Sequence, residues 1–202
     1  MAAKIQHGPI GPNAVHLCVD MQRLFGPGGP WHVPWAAKVL PAIHDLARFH
    51  PERTIFTRFI PPRDLASATG CWRRYYQKWP GILGESLPPA QLDLLPELAD
   101  FVPPARVKDK SVYSPWQDGE LHRFLHKAEV DTLVISGGET DICVMATALG
   151  AVDRGYRTIL VSDAVCSSLD DAHDAAMTMF RLRFSEQVEA IPLEEVLENW
   201  RG

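Results

Sequence analysis

The sequence predicts an α/β protein built around a mostly parallel β-sheet. Short runs of apolar and β-branched residues alternate along the 202 residues with longer stretches whose apolar residues have helical spacing. This alternation is typical of β-α-β units, in which helices cover the faces of a parallel sheet. A chain of this length also fits one domain with a sizeable core, residues 1–202.

Six of the runs have the length and residue types of strands. In order they are Ala14–Asp20, Arg53–Thr57, Ala105–Lys108, Thr132–Ser136, Arg157–Ser162 and Val188–Ile191. The predicted helices are Trp35–Phe49, Gly119–Lys127, Thr140–Arg154, Ser168–Arg181 and Leu193–Trp200. We expect Gly155 to follow the third helix at C′ and Ser168 to cap the fourth. The aromatic-rich segment Arg63–Leu87 is expected to be irregular.

The composition is that of an ordinary globular protein, with 46% hydrophobic and 22% charged residues. The formal net charge of -5 gives no reason to expect nucleic acid or an anionic membrane as a partner. No run approaches the ~18 apolar residues of a membrane span, and Met1–Pro12 lacks the pattern of a secretory signal. We therefore expect a cytoplasmic protein whose four cysteines, which show no metal-binding spacing, are reduced.

One of these cysteines, Cys143, follows a predicted strand and the glycine pair Gly137 and Gly138. The glycines allow a sharp turn into the next helix, so the thiol is expected in the first helical turn. Unpaired N–H groups and the positive end of the helix dipole favour an anion there. Cys143 is therefore the candidate nucleophile, and its turn the candidate site for an oxyanion.

An acid and a lysine follow two other strands. Asp20 ends the first predicted strand, and Lys110 follows the third, with Lys108 as a competing lysine. Ligand sites of parallel α/β sheets lie at the carboxyl ends of the strands, so these side chains are expected to converge with Cys143. A cysteine, a carboxylate and a lysine are sufficient for nucleophilic acyl transfer without a histidine.

The protonation state of this group is left open by the sequence. A carboxylate at Asp20 would raise the pKa of the Cys143 thiol, whereas the ammonium of Lys110 and the helix N-terminus would lower it. Alternatively, the thiol proton rests on Asp20, and Lys110 balances the resulting thiolate.

Three motifs together resemble the isochorismatase-like cysteine hydrolases, which include nicotinamidases, carbamoylsarcosine and ureidoacrylate amidohydrolases and biuret hydrolase. Asp20–Gln22, followed by Phe25, is similar to the D-x-Q motif of that family. Asp109–Ser114 is similar to its lysine motif, and Gly137–Val144 to its G-x-x-T-(D/N)-x-C-V motif. The motifs occur in the family order on a chain of suitable length.

The resemblance implies a Rossmann-like, three-layer α/β/α fold with a six-stranded sheet. It also implies a catalytic triad of Asp20, Lys110 and Cys143 that works through a covalent thioester. A cis peptide bond is implied between Gly138 and Glu139, which would turn the backbone N–H groups of Glu139 and Cys143 toward one oxyanion. Relatives are commonly oligomeric, so we expect a homodimer or homotetramer.

The chain departs from metal-bearing nicotinamidases, which carry an Asp-x-His plus His cluster after the second strand. Residues 57–64 contain no histidine, so we expect no metal and no cofactor. Candidate substrate contacts are Phe25, Trp79, Trp116 and Glu139. The aromatic residues of segment 71–79 are equally suited to contact a substrate or another subunit.

The sequence thus favours a metal-independent cysteine hydrolase that cleaves a small amide-like C–N bond. Two alternatives stay open. One is isochorismatase-type hydrolysis of a non-amide substrate, which the presence of Cys143 disfavours because true isochorismatases lack that nucleophile. The other is a non-catalytic binding protein that keeps the fold.

Overall fold

Six parallel strands form one sheet in the computed structural model, which describes residues 4–201. The strands are β1 Ala14–Val19, β2 Thr54–Phe59, β3 Arg106–Lys110, β4 Thr132–Gly138, β5 Arg157–Cys166 and β6 Val188–Ile191. Their order in the sheet is β3-β2-β1-β4-β5-β6. The prediction of a parallel α/β sheet is confirmed, and all five pairings are parallel.

Helices cover both faces of this sheet. They are α1 Ala36–Phe49, α2 Gly70–Lys78, α3 Pro96–Ala99, α4 Glu120–Lys127, α5 Met145–Val152, α6 Asp170–Arg183 and α7 Leu193–Asn199. Buried residues of α1, α3 and α7 belong to one apolar core, and those of α4, α5 and α6 to a second core. The three-layer architecture is therefore confirmed. No helix of residues 4–201 is long and apolar enough to cross a membrane.

Two local predictions were wrong, and a third helix begins differently from the prediction. The segment expected to be irregular contains α2, a polar helix in which Tyr76 is the one buried side chain. Its aromatic residues Trp72, Tyr75, Tyr76 and Trp79 recur at i, i+3, i+4 and i+7, which is the apolar spacing of a helix that the prediction of an irregular segment overlooked. Ser168 does not cap α6, whose N-cap residue is Leu169. The helix predicted over Thr140–Arg154 begins as a wider π-helical turn over Thr140–Val144.

The strand order reverses between β1 and β4, at the centre of the sheet. A crevice opens at the carboxyl ends of the strands where such a reversal occurs, because the connections leave in opposite directions. The buried side chain of His16, on β1, contacts both neighbouring strands in this region. Its Nε2 lies 2.7 Å from Ser136 Oγ on β4, and its Nδ1 lies 3.3 Å from Thr54 Oγ1 on β2.

Close packing of β1 and β4 at the reversal requires a glycine. Gly137 pairs with Val19 and has a φ angle of 107°, which L side chains rarely adopt. A Cβ atom there would lie 2.2 Å from the carbonyl oxygen of Val19. Gly137 thus allows the ends of β1 and β4 to approach each other just before Asp20 and the turn that contains Cys143.

We predict that Gly137→Ala destabilises the protein by more than about 3 kcal/mol, because a steric overlap is added to the cost of a positive φ angle. Gly155→Ala is the matched control, since Gly155 also has a positive φ angle, 79°, but has open space around it. We expect this control to cost only about 1–2 kcal/mol. Urea unfolding measures the free energy of unfolding of both variants. Equal losses of stability in the two variants would contradict the steric overlap assigned to Gly137.

Candidate active site

Asp20 lies directly after β1 and is 2% exposed. Its backbone is in the left-handed region, with φ 53°, a conformation that aspartate tolerates better than most residues. The hydroxyl of Thr57, on the neighbouring strand β2, donates a hydrogen bond of 2.6 Å to Asp20 Oδ1. The carboxylate is therefore fixed in one orientation, with Oδ2 left for a second partner.

Lys110, the last residue of β3, supplies that partner. Its buried Nζ lies 2.6 Å from Asp20 Oδ2 and 3.5 Å from Cys143 Sγ, and it donates to the carbonyl of Val112 at 3.1 Å. The competing Lys108 instead pairs at the surface with Asp118 and Glu120. The structure therefore brings Asp20, Lys110 and Cys143 together, as expected from the strand ends.

Cys143 lies in the π-helical turn that leads from β4 into α5. The carbonyl of Glu139 accepts hydrogen bonds from the N–H groups of Ile142 and Val144, at 3.1 and 3.0 Å. The hydroxyl of Thr147 donates to the carbonyl of Cys143 at 2.6 Å. Widened turns of this kind often occur at functional sites. The peptide bond that precedes the turn, Gly138–Glu139, is cis.

The electrostatics of the three groups favour a neutral thiol and an ion pair. Burial, followed by the Asp20 carboxylate, raises the pKa of the Cys143 thiol, and the Lys110 ammonium offsets them only in part. Burial opposes the charge on Lys110, but Asp20 and Cys143 outweigh it, so that the pKa of the ammonium is raised. Of the two protonation states left open by the sequence, these shifts favour the one in which Cys143 keeps its proton beside the Lys110 ammonium.

Sequence reasoning missed the side chains that hold these elements in place. Gln22 is fully buried and joins the end of β1 to that of β2, because its Oε1 accepts from the N–H of Phe59 and its Nε2 donates to the carbonyls of Phe59 and Leu92. The D-x-Q motif was recognised, but it assigns this glutamine no partner. Thr57 had no signal at all, since a threonine in a strand is common.

The cysteine turn is held from the other side by residues of the β5–α6 connection. Ser167 accepts a hydrogen bond from the N–H of Thr140 at 3.0 Å and donates to Asp141 at 2.6 Å. The Thr140 hydroxyl lies 2.9 Å from Nδ1 of His173 on α6. These contacts join residues that are 26 to 33 positions apart in the chain, so no local sequence pattern predicts them.

A cavity of about 400 Å³ opens above Cys143. Phe25, Trp79 and Glu139, three of the predicted substrate contacts, line it. The remaining lining residues are Pro30, Trp31, His32, Phe59, Tyr75, Tyr113, Ile142 and Ser168. From segment 71–79, Tyr75 and Trp79 therefore face this cavity. The oligomeric state stays a prediction.

The prediction that Trp116 contacts the substrate was wrong. Trp116 is 3% exposed and lies in the core that covers α5, not in the cavity. Its Nε1 donates to the carbonyl of Thr147 at 2.9 Å, and its ring stacks on Tyr156 at a centroid distance of 5.9 Å. A side chain at Gly150 would collide with this ring. Trp116 thus fixes α5 behind the cysteine instead of contacting a substrate.

A nicotinamidase-type metal does not fit the side chains that are present. In the described part of the chain, no group of three or more His, Cys, Asp or Glu residues is arranged to hold a metal ion. The loop after β2 that would supply histidines reads Ile60-Pro61-Pro62-Arg63-Asp64. It offers one carboxylate, and the pKa of that Asp64 is lowered by hydrogen bonds from Ser67, which occupy one of its oxygens.

Comparison with known proteins identifies the family. The isochorismatase domain model matches residues 14–191, which include the whole sheet. A maleamate amidohydrolase from Pseudomonas putida is 36% identical over 48% of this chain and 45% of its own length. An N-carbamoylsarcosine amidase from an Arthrobacter species is 28% identical over 76% of this chain and 59% of its own. The chain thus spans about half of the length of these curated relatives.

Solved structures with the same fold include a cysteine hydrolase from Pseudomonas syringae. It superposes with a TM-score of 0.82 over 98% of this chain and 97% of that protein, at 24% identity. This likeness shows the fold and not the activity. Because the domain model covers most of the sequence and relatives of the family are hydrolases that include amidases, the chain belongs to the isochorismatase family of hydrolases.

Proposed function

We propose that the protein is a cysteine-dependent amidohydrolase that cleaves a small amide-like C–N bond through a thioester, without a metal. The observation that carries this proposal is the position of Lys110 Nζ, 2.6 Å from Asp20 Oδ2 and 3.5 Å from Cys143 Sγ. A nucleophile, a proton acceptor and a fixed cation thus lie within contact distance at the base of a cavity. Such a set supports acyl transfer at a carbonyl carbon.

The first half of the reaction forms the thioester. Cys143 Sγ attacks the carbonyl carbon of the amide while its proton passes to the carboxylate of Asp20. The carbonyl oxygen becomes an oxyanion, which the backbone N–H groups of Glu139 and Cys143 stabilise. When the tetrahedral intermediate collapses, the C–N bond breaks, and the leaving ammonia or amine takes the proton from Asp20.

The second half returns the enzyme to its starting state. Asp20 accepts a proton from water, whose oxygen attacks the thioester carbon. The C–S bond then breaks, the carboxylic acid leaves, and the Cys143 thiolate recovers its proton from Asp20. Lys110 keeps its charge throughout, so that it stabilises whichever of Asp20 and Cys143 is the anion at each step.

The proposed reaction needs no metal, because its nucleophile and its proton carrier are both side chains. This agrees with the donor set described above, in which no three metal-binding side chains of residues 4–201 converge. The amide specificity is supported by the activities of the two curated relatives, which are an amidohydrolase and an amidase.

We predict that Cys143→Ala lowers amide hydrolysis by at least about 10³-fold, because the nucleophile is lost. Ammonia release is measured on a panel of small amides, ureides and carbamoyl compounds, with and without EDTA. Cys71→Ala is the control, since Cys71 is an exposed thiol outside the cavity lining. Activity that survives in Cys143→Ala, or that EDTA abolishes, would refute the proposal. A panel with no turnover at all would favour a non-amide substrate or a binding role.

Asp20→Asn is predicted to change two measurements in opposite directions. Hydrolysis should fall about 10²- to 10⁴-fold because the proton acceptor is lost. Alkylation of Cys143 by iodoacetamide at pH 7 should become faster, because the anion that raises the thiol pKa is removed while Lys110 remains. Each unit by which the pKa falls increases the thiolate fraction about tenfold.

Lys110→Met provides the opposite control. Loss of the cation leaves Asp20 to raise the thiol pKa further, so both alkylation and hydrolysis should slow. Thermal unfolding of both variants verifies that each is folded. If Asp20→Asn lowers the rate of alkylation together with hydrolysis, Asp20 would be needed only to hold the fold, and the assigned proton transfer would be wrong.

A further inference from the structure

Among residues 4–201, the cavity above Cys143 is lined by one carboxylate and by neither a lysine nor an arginine. Among the described residues that line it, Glu139 is the only acid, and no lysine or arginine is present. Lys110 lies below the cavity and is paired with Asp20. A substrate group that enters the cavity therefore meets a negative charge that no lysine or arginine of the lining balances, and His32 is the one other ionisable nitrogen among the described lining residues.

The carboxylate of Glu139 is held in position and retains accepting capacity. Its Oε1 accepts a hydrogen bond of 2.8 Å from the N–H of Ser168. None of the hydrogen bonds among residues 4–201 uses Oε2. Burial raises the pKa of two phenols of the cavity wall, Tyr75 to about 12 and Tyr113 in the same direction, and the charge of Glu139 adds to both shifts as a smaller cause. The charge of Glu139 therefore affects other groups that line the cavity.

The walls around this carboxylate are aromatic. Phe25 stacks on Trp31 at a centroid distance of 6.1 Å, and Tyr75 meets Trp31 edge-on at 6.0 Å. Phe59 is 6.3 Å from Trp31 and continues the wall, and Trp79 is 42% exposed at the rim. Aromatic faces attract cations because of the negative charge density above the ring, and this attraction strengthens when water is excluded. A carboxylate within aromatic walls thus complements a positively charged nitrogen.

The same geometry disfavours an anionic substrate. Maleamate and N-carbamoylsarcosine, which name the activities of the two curated relatives, each carry a carboxylate at neutral pH. Such a group would approach Glu139 with no lysine or arginine of the lining to balance it, and like charges in a partly desolvated site repel. The chain is therefore expected to differ in substrate charge from these relatives.

We propose that Glu139 selects amide substrates that carry a positively charged nitrogen, which its carboxylate and the surrounding aromatic rings bind together. This inference rests on the proposed function for the amide and on the cavity for the charge. Glu139 acts here as a specificity residue through its side chain, separately from the backbone N–H that is assigned to the oxyanion.

The first test compares amides of one length and different charge at pH 8. The compounds are 4-aminobutanamide, its neutral isostere pentanamide, and glutaramate. We expect kcat/KM for the cation to exceed that for the neutral amide at least tenfold, or about 1.4 kcal/mol, and glutaramate to be the poorest substrate. Equal values for the cation and the neutral amide would overturn the inference.

The variant Glu139→Gln keeps the backbone and the acceptor for Ser168 but removes the charge. We expect it to bring the ratio of the cationic to the neutral substrate within about threefold of unity, whatever its effect on the absolute rates. Glu186→Gln is the matched control, because Glu186 is exposed and precedes β6, at the amino ends of the strands, whereas the cavity lies at their carboxyl ends. A ratio that Glu139→Gln leaves unchanged would remove Glu139 from the assignment.

A second test separates the charge preference from amide hydrolysis. Cys143 is modified with two methanethiosulfonates, one bearing trimethylammonium and one bearing sulfonate, in a Cys71→Ser background that removes the exposed thiol. The cationic reagent should react at least tenfold faster, and Glu139→Gln should abolish most of the difference. If no amide is hydrolysed but this preference holds, the proposed function fails while the cation site stands. If the sulfonate reacts as fast or faster, the inference fails even where amides are hydrolysed.

Discussion

The buried ion pair of Asp20 and Lys110 is the interaction on which the rest of the site depends. Two charges that are 2% and 7% exposed persist only if they are paired and hydrogen-bonded. Their strands β1 and β3 are not neighbours, because β2 lies between them and contributes Thr57 to the same carboxylate. The pair therefore exists only when three strands are in the right order and end at the same level. Loss of either partner would leave an uncompensated charge beside Cys143.

This pairing also determines how far neighbouring charges affect the pKa of the cysteine. Asp20 and Lys110 cancel each other to a first approximation, so burial dominates and keeps the pKa of Cys143 high. In the proposed mechanism a thiolate appears only when its proton moves to Asp20, and the Lys110 ammonium then pairs with sulfur instead of oxygen. The total charge of the three groups is unchanged by that transfer. A site of this kind moves a proton over a short distance without moving net charge into a low-dielectric interior.

The sequence predicts those parts of the molecule that local patterns specify. Apolar runs located all six strands, and their carboxyl ends located Asp20 and Cys143, because a parallel sheet brings those ends together. Lys110 was separated from Lys108 by its motif, and the surface pairs of Lys108 agree. Contacts that join distant residues were missed, as with Ser167 and Thr140. Trp116 was misplaced because an aromatic residue in a loop carries no information on which side of the cysteine helix it packs.

The recognition proposed for Glu139 is linked to the geometry of the nucleophile. Its carbonyl oxygen accepts hydrogen bonds within the widened turn that contains Cys143. Its side chain accepts a hydrogen bond from Ser168, and the neighbouring Ser167 accepts one from the N–H of Thr140. A ligand that contacts the carboxylate therefore binds to the same residue whose backbone helps to position the Cys143 thiol. Because both functions reside in one residue, absolute rates in a Glu139 variant combine the two effects. Only a ratio between substrates of different charge isolates recognition, since the nucleophile and the oxyanion donors are common to both reactions and cancel.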